Sequence, residues 1–531
     1  MLQHGKRPTI ASRHGMVAAA HPLAAAAGAR ILGNGGNAFD AAAATAAALN
    51  VVEPYMSGLA GQGMATCYIA GEKRVRSLNF MSRIPRKFPL DRLTNREQVR
   101  GPIAVGAPGN LAGWCEMVQT YGSKKLPELF APAIAIARDG FGLIEFNVEE
   151  INGATGELRG QDKLYPEWSR TYLEGISGGR PAMGAVLKQP DLARTLEALA
   201  NEGPGLMYGG ALGKKVIERL TELGGCLTMD DLLDTKAAWL DPVAASYRGR
   251  TVHVPPPPCE AFQYLLTLRI LEGFDLGRMA RNGTDHIDTV LRAIRVAAGV
   301  RIAVGVPSPQ KLAELLSDGH VESLRARVRD GRPVDGPTEQ WTAPATEGHT
   351  TSFSIADRHG NMVCVTQSLG GMFGSGVVVP GTGVCLNNFL YWADVNPRSP
   401  NRVKQGDAMP ICVAPSIVTQ DDRPVLALGT PGSYGILQTQ PQALVQYVDF
   451  GLPLQQAIEA PRARLTDGRA VLLESRVEPR VHEELRARGH GLTSGPDWTM
   501  KVGGMQGVAV DADGTFTGGC DPRRDGYVVP A

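Results

Sequence analysis

Two-thirds of the way along the chain, Gly348-His349-Thr350-Thr351-Ser352-Phe353-Ser354-Ile355-Ala356-Asp357 places adjacent hydroxyls at the start of a strand-forming run. A threonine hydroxyl is a weak nucleophile at its own pKa and needs a base beside it. The nearest base is the threonine's own α-amino group, whose unperturbed pKa is about 7.7–8.0. That amine is free only when the preceding peptide is cut. The pattern therefore predicts a precursor that breaks His349–Thr350 and makes Thr350 nucleophile and base together.

Acyl transfer needs further parts, and the chain supplies them. Gly429-Thr430-Pro431-Gly432-Ser433-Tyr434-Gly435 follows the strand-like Val425–Leu428 and can aim the Gly432 and Ser433 N–H groups at a developing oxyanion. One such donor is worth about 3–4 kcal/mol in the transition state. Ser368 stands after the second strand of the same hairpin, within reach of the Thr350 hydroxyl. Taken bare, a Thr pair also reads as β-propensity and a Gly-Ser loop as a turn.

These residues need rigid elements. His21 to Leu32 reads as a small-residue helix stopped by Gly33-Asn34-Gly35-Gly36, and Asn37 caps a second one with Asp40 in its first turn. Thr66–Ile69 and Val75–Phe80 form a hairpin pattern around Gly71-Glu72-Lys73. Helical periodicity dominates from Pro127 to about Leu316, as in Leu129–Arg138, Asp191–Glu202, Ala211–Leu223 and His286–Val304. Pro255 to Pro258 is a stiff extended connector. Gly331–Gly348 is polar and rich in Pro and Thr, which suits an exposed, cleavable loop. After it, Thr351–Ala356, the turn Asp357–Asn361 and Met362–Gln367 predict a half-buried hairpin, followed by strands at Val377–Val379, Ser416–Thr419 and Val425–Leu428. One globular unit is expected, with its helical majority first and a hairpin-rich third last.

Composition narrows the function. Of 531 residues, 43% are apolar and 20% charged, so a large core is feasible; the net charge of +1 offers no field for nucleic acid or anionic lipid. A small molecule is the expected partner. The eight cysteines have no CxxC spacing and read as reduced, small apolar residues. The N-terminal basic residues precede no apolar signal segment, and the Ala-rich run from Ala41 to Val52 is too short to span a bilayer. A cytoplasmic location without membrane attachment is the expectation.

Several blocks, in order, resemble the γ-glutamyltranspeptidase family of N-terminal-nucleophile hydrolases. They include Gly33–Asp40, Ala107-Pro108-Gly109, Gln189-Pro190-Asp191-Leu192, Tyr247-Arg248-Gly249, Gly348–Asn361, Phe373–Val384, Cys385-Leu386-Asn387-Asn388, Gly429–Gly435 and Asp521-Pro522-Arg523-Arg524. The resemblance implies an α+β fold, a four-layer αββα sandwich. It implies autocleavage into a large-subunit region, residues 1–349, and a small-subunit region, 350–531, that stay intertwined as a heterodimer. It places the nucleophile at Thr350, the oxyanion donors at Gly432 and Ser433, and the supporting hydroxyl at Ser368. No cofactor or metal is implied.

The glutamate pocket is where this chain departs from the family. The arginine that pairs with the substrate α-carboxylate falls at Met81, with Arg83 two residues on. The family's Gln and Asp that hold the α-ammonium fall at Phe389 and Trp392, an asparagine at Gly370, and a serine pair near Ile411-Cys412. With Asn388 beside them, Met81, Arg83, Phe389 and Trp392 are the candidate substrate-binding residues. An apolar wall cannot satisfy a buried ammonium and carboxylate. The expected substrate is thus a small amide with a less charged, aromatic or aliphatic acyl group. A genuine γ-glutamyltransferase or glutathione hydrolase using Arg83, or an unprocessed binding protein, are the alternatives.

Three rival patterns are weaker. Gly175-Ile176-Ser177-Gly178-Gly179 matches a nucleophile elbow but lacks a preceding strand. Gly33-x-Gly35-x-x-Ala38 imitates a dinucleotide fingerprint but follows a helix. The ten histidines form no H-E-x-x-H or His/Cys cluster. His349 reads as incidental, since it departs with the other chain.

Overall fold

The computed structural model describes residues 6–93, 98–159, 161, 164–331, 349–399, 401–466 and 468–531. The expected cleavable loop therefore lies almost wholly outside the described residues. Two seven-stranded sheets, antiparallel throughout, form the centre. The first runs Tyr527–Pro530, Gly15–Ala19, His349–Asp357, Met362–Gly370, Gln62–Ile69, Arg74–Asn79 and Ala238–Leu240. The second runs Ile10–Ser12, Phe516–Cys520, Gln506–Val510, Arg423–Gly429, Ser416–Gln420, Arg250–Val254 and Val243–Tyr247.

Three apolar clusters define the layers. Met16, Ala18, Ala356, Met362, Ile417, Ala427 and Val508 fill the space between the sheets. Phe353, Ile355, Val363 and Val365 pack outward with the helices Pro22–Gly33 and Ala38–Val52. Val252, Val254, Leu426 and Leu428 pack on the opposite side with Phe262–Leu271, Thr284–Val304 and Ile436–Val448. The order is helices, sheet, sheet, helices, the expected αββα sandwich. Both sheets combine strands from before and after residue 350.

Local chemistry accounts for the elements nearest the site. Asn37 and Asp40 form a reciprocal capping box that starts Ala38–Val52, and Glu53 ends it. The hairpin turn is set by Asp357, whose Oδ1 accepts from the His359 and Asn361 N–H groups at 2.9 and 3.0 Å. The hairpin is longer than its pattern predicted, His349–Asp357 against Met362–Gly370, and every residue is buried rather than half of them. Its polar face does not meet water; it meets the second sheet. A further difference is the strand segment 238–254 inside the helical stretch, which crosses from the edge of one sheet to the edge of the other. Among the described residues, no helix is long and apolar enough to cross a membrane.

Candidate active site

Strand alternation decides which way the site residues face. Ser352 and Ser354 point at the second sheet: Ser354 Oγ donates to the Gln506 carbonyl at 3.0 Å, and a Cβ on Gly429 would lie 2.1 Å from Ser352 Oγ. Only glycine at 429 lets the strands approach so closely. Thr350 has the same parity, at the end of the strand, where the Gly429–Gly435 loop leaves its own.

Thr350 is 6% exposed, and its Oγ1 donates to Ser368 Oγ at 3.3 Å. Ser368 Oγ in turn donates to the His349 carbonyl and accepts from the Gly370 N–H at 2.8 Å. The carbonyl of the expected scissile bond is thus polarised by a hydroxyl beside the attacking one. The strand register shifts between His349 and Thr350, so the ladder is irregular at this bond.

The opposite face is charged and buried. Thr351 Oγ1 donates to Glu53 Oε2 at 2.7 Å, and Arg524 Nη1 donates to the Thr350 carbonyl at 3.0 Å. Burial pushes the Glu53 carboxyl up to about 7, against the opposing pull of Thr351 and Arg524. Burial likewise lowers Arg524 and raises Asp525. Arg524 projects from a turn held by an ion network: Arg523 reaches Asp521 at 3.0 Å and Glu474 at 2.6 Å, and Arg462 pairs with Asp521.

The Gly429–Gly435 loop is conformationally special. Gly432 has φ +130° and Ser433 φ +57°, and the second is a left-handed conformation unusual for a side-chain-bearing residue. Among the described residues the Gly432 N–H donates to no partner. The Thr430 hydroxyl accepts from the Gly504 N–H at 3.1 Å and ties the loop to the segment leading into Gln506–Val510.

Tyr434, the next residue, lines a cavity of about 380 Å³ with Trp392, Val304, Arg301, Glu260 and Arg402. Trp392 meets Tyr434 edge to face at 5.6 Å, and the Arg301 guanidinium sits 4.2 Å from the Tyr434 ring centre. Arg301 is itself fixed by Glu260 at 2.8 Å and Gln263 at 2.6 Å. Of the expected binding residues, Trp392 lines this cavity, while Met81 and Phe389 are buried in the adjoining core. Arg83 is exposed and donates to the Gly406 carbonyl at 2.9 Å. The Asn388 amide is spent on backbone, accepting from Gly371 N–H at 2.6 Å and donating to Val99 O at 2.7 Å.

Sequence reasoning passed over Glu53, Glu150, Arg301 and Arg524, and treated His349 as incidental. Arg524 lay inside a quoted block, but nothing local to it pointed to Thr350. Among the described residues, no group of three or more His, Cys, Asp or Glu is placed to hold a metal ion.

Known proteins match this chain along nearly its whole length. A family model described as gamma-glutamyltranspeptidase matches residues 24–531. The acylase ACY 1 proenzyme of Pseudomonas sp. (strain SE83) is 34% identical over 545 residues, covering 99% of this chain and 94% of its own. The glutathione hydrolase proenzyme of Bacillus subtilis (strain 168) is 30% identical over 554 residues, covering 97% and 91%. The crystal structure of cephalosporin acylase from Bacillus halodurans superposes with a TM-score of 0.89 at 28% identity, covering 100% of this chain and 98% of its own.

Proposed function

The chain belongs to the gamma-glutamyltranspeptidase family, and from that premise we propose that it cuts itself at His349–Thr350 and then works as an acylase on non-glutamyl amides. That it is an amidohydrolase or acyltransferase of the N-terminal-nucleophile type follows from its relatives. The cut, the residue roles and the acyl group are this proposal's own content.

In processing, Thr350 Oγ1 attacks the His349 carbonyl carbon while Ser368 Oγ supports the oxygen. The new O–C bond forms, the C–N bond breaks, and the hydroxyl proton ends on the nitrogen that becomes the Thr350 α-amine. Water then hydrolyses the ester, leaving residues 1–349 with a His349 carboxylate and residues 350–531 with a free hydroxyl and amine. In turnover the same oxygen attacks a substrate amide and the α-amine carries its proton to the leaving nitrogen. The Gly432 and Ser433 N–H groups steady the oxyanion. Water or an acceptor amine resolves the acyl-enzyme.

The observation that carries the reading is the hydrogen-bonded line from Thr350 Oγ1 through Ser368 Oγ to the His349 carbonyl. The acyl preference rests on the cavity beside Tyr434 and on the positions of Met81 and Arg83. An aromatic ring pair lines it, Met81 is buried, and Arg83 is committed to the Gly406 turn. The test is a panel of anilides: arylacyl and aliphatic acyl anilides should be cleaved at least tenfold more efficiently than γ-glutamyl anilide, with all turnover absent in Thr350→Ala. Efficient γ-glutamyl turnover would overturn the acyl assignment and leave the nucleophile standing.

A further inference from the structure

His349 is the one residue of the site whose role cannot outlast the cut. Its side chain is 8% exposed, and its Nε2 lies 3.1 Å from Glu150 Oε2 on the helix Glu145–Leu158. Glu150 is 5% exposed, and its Oε2 makes no hydrogen bond among the described residues, so the two groups meet in close contact without one. His349 Nδ1 is buried with no hydrogen-bond partner among the described residues. Burying an imidazole against a carboxylate at such incomplete satisfaction is costly, and a plain apolar residue would pack at less expense. The cost falls on the residue immediately before the scissile bond.

The backbone there lacks its usual restraint. The Gly370 N–H, the donor opposite His349 in the sheet, goes to Ser368 Oγ instead of a ladder carbonyl. Three consecutive residues are held by outside groups: His349 by Glu150, the Thr350 carbonyl by Arg524, and the Thr351 hydroxyl by Glu53. The last two anchors still act on the catalytic residue after cleavage. The first then acts only on the severed end.

We propose that Glu150 and His349 form a positioning pair for self-cleavage, fixing the His349 carbonyl at Ser368 in the precursor and taking no part in turnover. The pair rests on the processing reading above and adds to it the group that presents the scissile bond. It touches no reacting atom; it acts through the peptide it holds. Arg524, Glu53 and Tyr55 lie close enough to Glu150 to interact with it electrostatically.

The test follows full-length chain made by cell-free synthesis, measuring the uncut fraction over time on denaturing gels. Glu150→Ala and His349→Ala should each slow cutting at least tenfold, and the double variant should be no slower than the worse single one, as expected for two halves of one contact. His349→Gln, whose amide nitrogen reaches the position of Nε2, should cut within threefold of wild type. Chains that have matured should keep kcat within twofold. The proposal is overturned if Glu150→Ala cuts at the wild-type rate, if the two effects multiply, or if kcat of matured enzyme falls in parallel. Thermal midpoints of the same variants in a Thr350→Ala background supply the folding control. Slow cutting with a lowered midpoint and no rescue by glutamine assigns the pair to packing and also overturns the proposal. Wild-type chain that never cuts would sink the processing reading itself; wild type and variants that cut equally fast sink only the pair.

Discussion

Thr350 is surrounded by hydroxyls, a guanidinium and carboxylates, each tied to a named partner, whereas the cavity beside Tyr434 sets the aromatic and aliphatic surface of Trp392, Tyr434 and Val304 against the charged Arg301, Glu260 and Arg402. The first region places hydrogen-bond donors where charge develops, a job that any acyl group requires. The second offers ring faces and aliphatic surface beside a fixed Arg301–Glu260 pair, which on the proposed reading select the acyl group by shape and desolvation. On the proposed reading, bond-breaking and acyl recognition therefore fall to separate sets of residues on either side of Gly432-Ser433. One can be altered without the other.

The sharpest break falls on the nucleophile side. Thr350→Ala should leave a single 56.5 kDa chain and lower turnover of every anilide by at least about 10⁴-fold; cleavage into two chains would end the argument. Ser368→Ala should slow self-cutting by about 10²–10³-fold, the worth of one preorganised donor, and Ser368→Thr should restore most of it. The Thr350→Ala loss should be the same whatever acyl group is offered, and a substrate-dependent loss would blur the division.

Glu53 sharpens the comparison from the charged side. Its carboxyl is raised from 4.5 to about 7 by burial, so the folded protein keeps a proton that the unfolded chain releases. The associated stability is present in full below about pH 4.5 and is lost as pH rises through about 7, amounting to roughly 3 kcal/mol at most. Glu53→Gln removes that slope. Its thermal midpoint relative to wild type should therefore climb between pH 5 and pH 8, and parallel curves would contradict the assignment. The smallest effect belongs to the cavity. Trp392→Ala should raise KM for arylacyl anilides about tenfold, the loss of one buried ring, while leaving self-cleavage untouched. Equal losses in kcat for all acyl groups would place Trp392 with the chemistry instead.

Much of this arrangement is readable along the chain wherever the signal is local. The Asn37–Asp40 cap, the hairpin turned by Asp357 and the helices Leu126–Asp139, Pro190–Glu202 and Thr284–Val304 follow from residues within a turn of one another. Gly15-Met16-Val17-Ala18-Ala19 gives no strand pattern, yet it lies beside the nucleophile strand, because pairing with residues more than three hundred positions away imposes the conformation. Of the strands within 238–254, Ala238–Leu240 is an edge strand whose partner is distant in sequence, while Val243–Tyr247 and Arg250–Val254 form a local hairpin that the surrounding helical periodicity masked. Hydroxyl residues in the hairpin suggested an exposed face, but a second sheet covers it. Residue type and spacing offer Thr350, Ser368 and the loop only as candidates, and the resemblance of the surrounding blocks to the family supplies their proposed roles. Glu53, Glu150 and Arg524 could not, since each reaches the site from an element that only the fold brings near.

The most direct measurement is intact mass and N-terminal analysis of purified wild-type protein after prolonged incubation. The account predicts two chains, residues 1–349 and 350–531, with Thr350 carrying a free α-amine whose chemical blocking abolishes turnover. A single uncut chain that still cleaves anilides, or a matured enzyme that keeps working with that amine blocked, would contradict it.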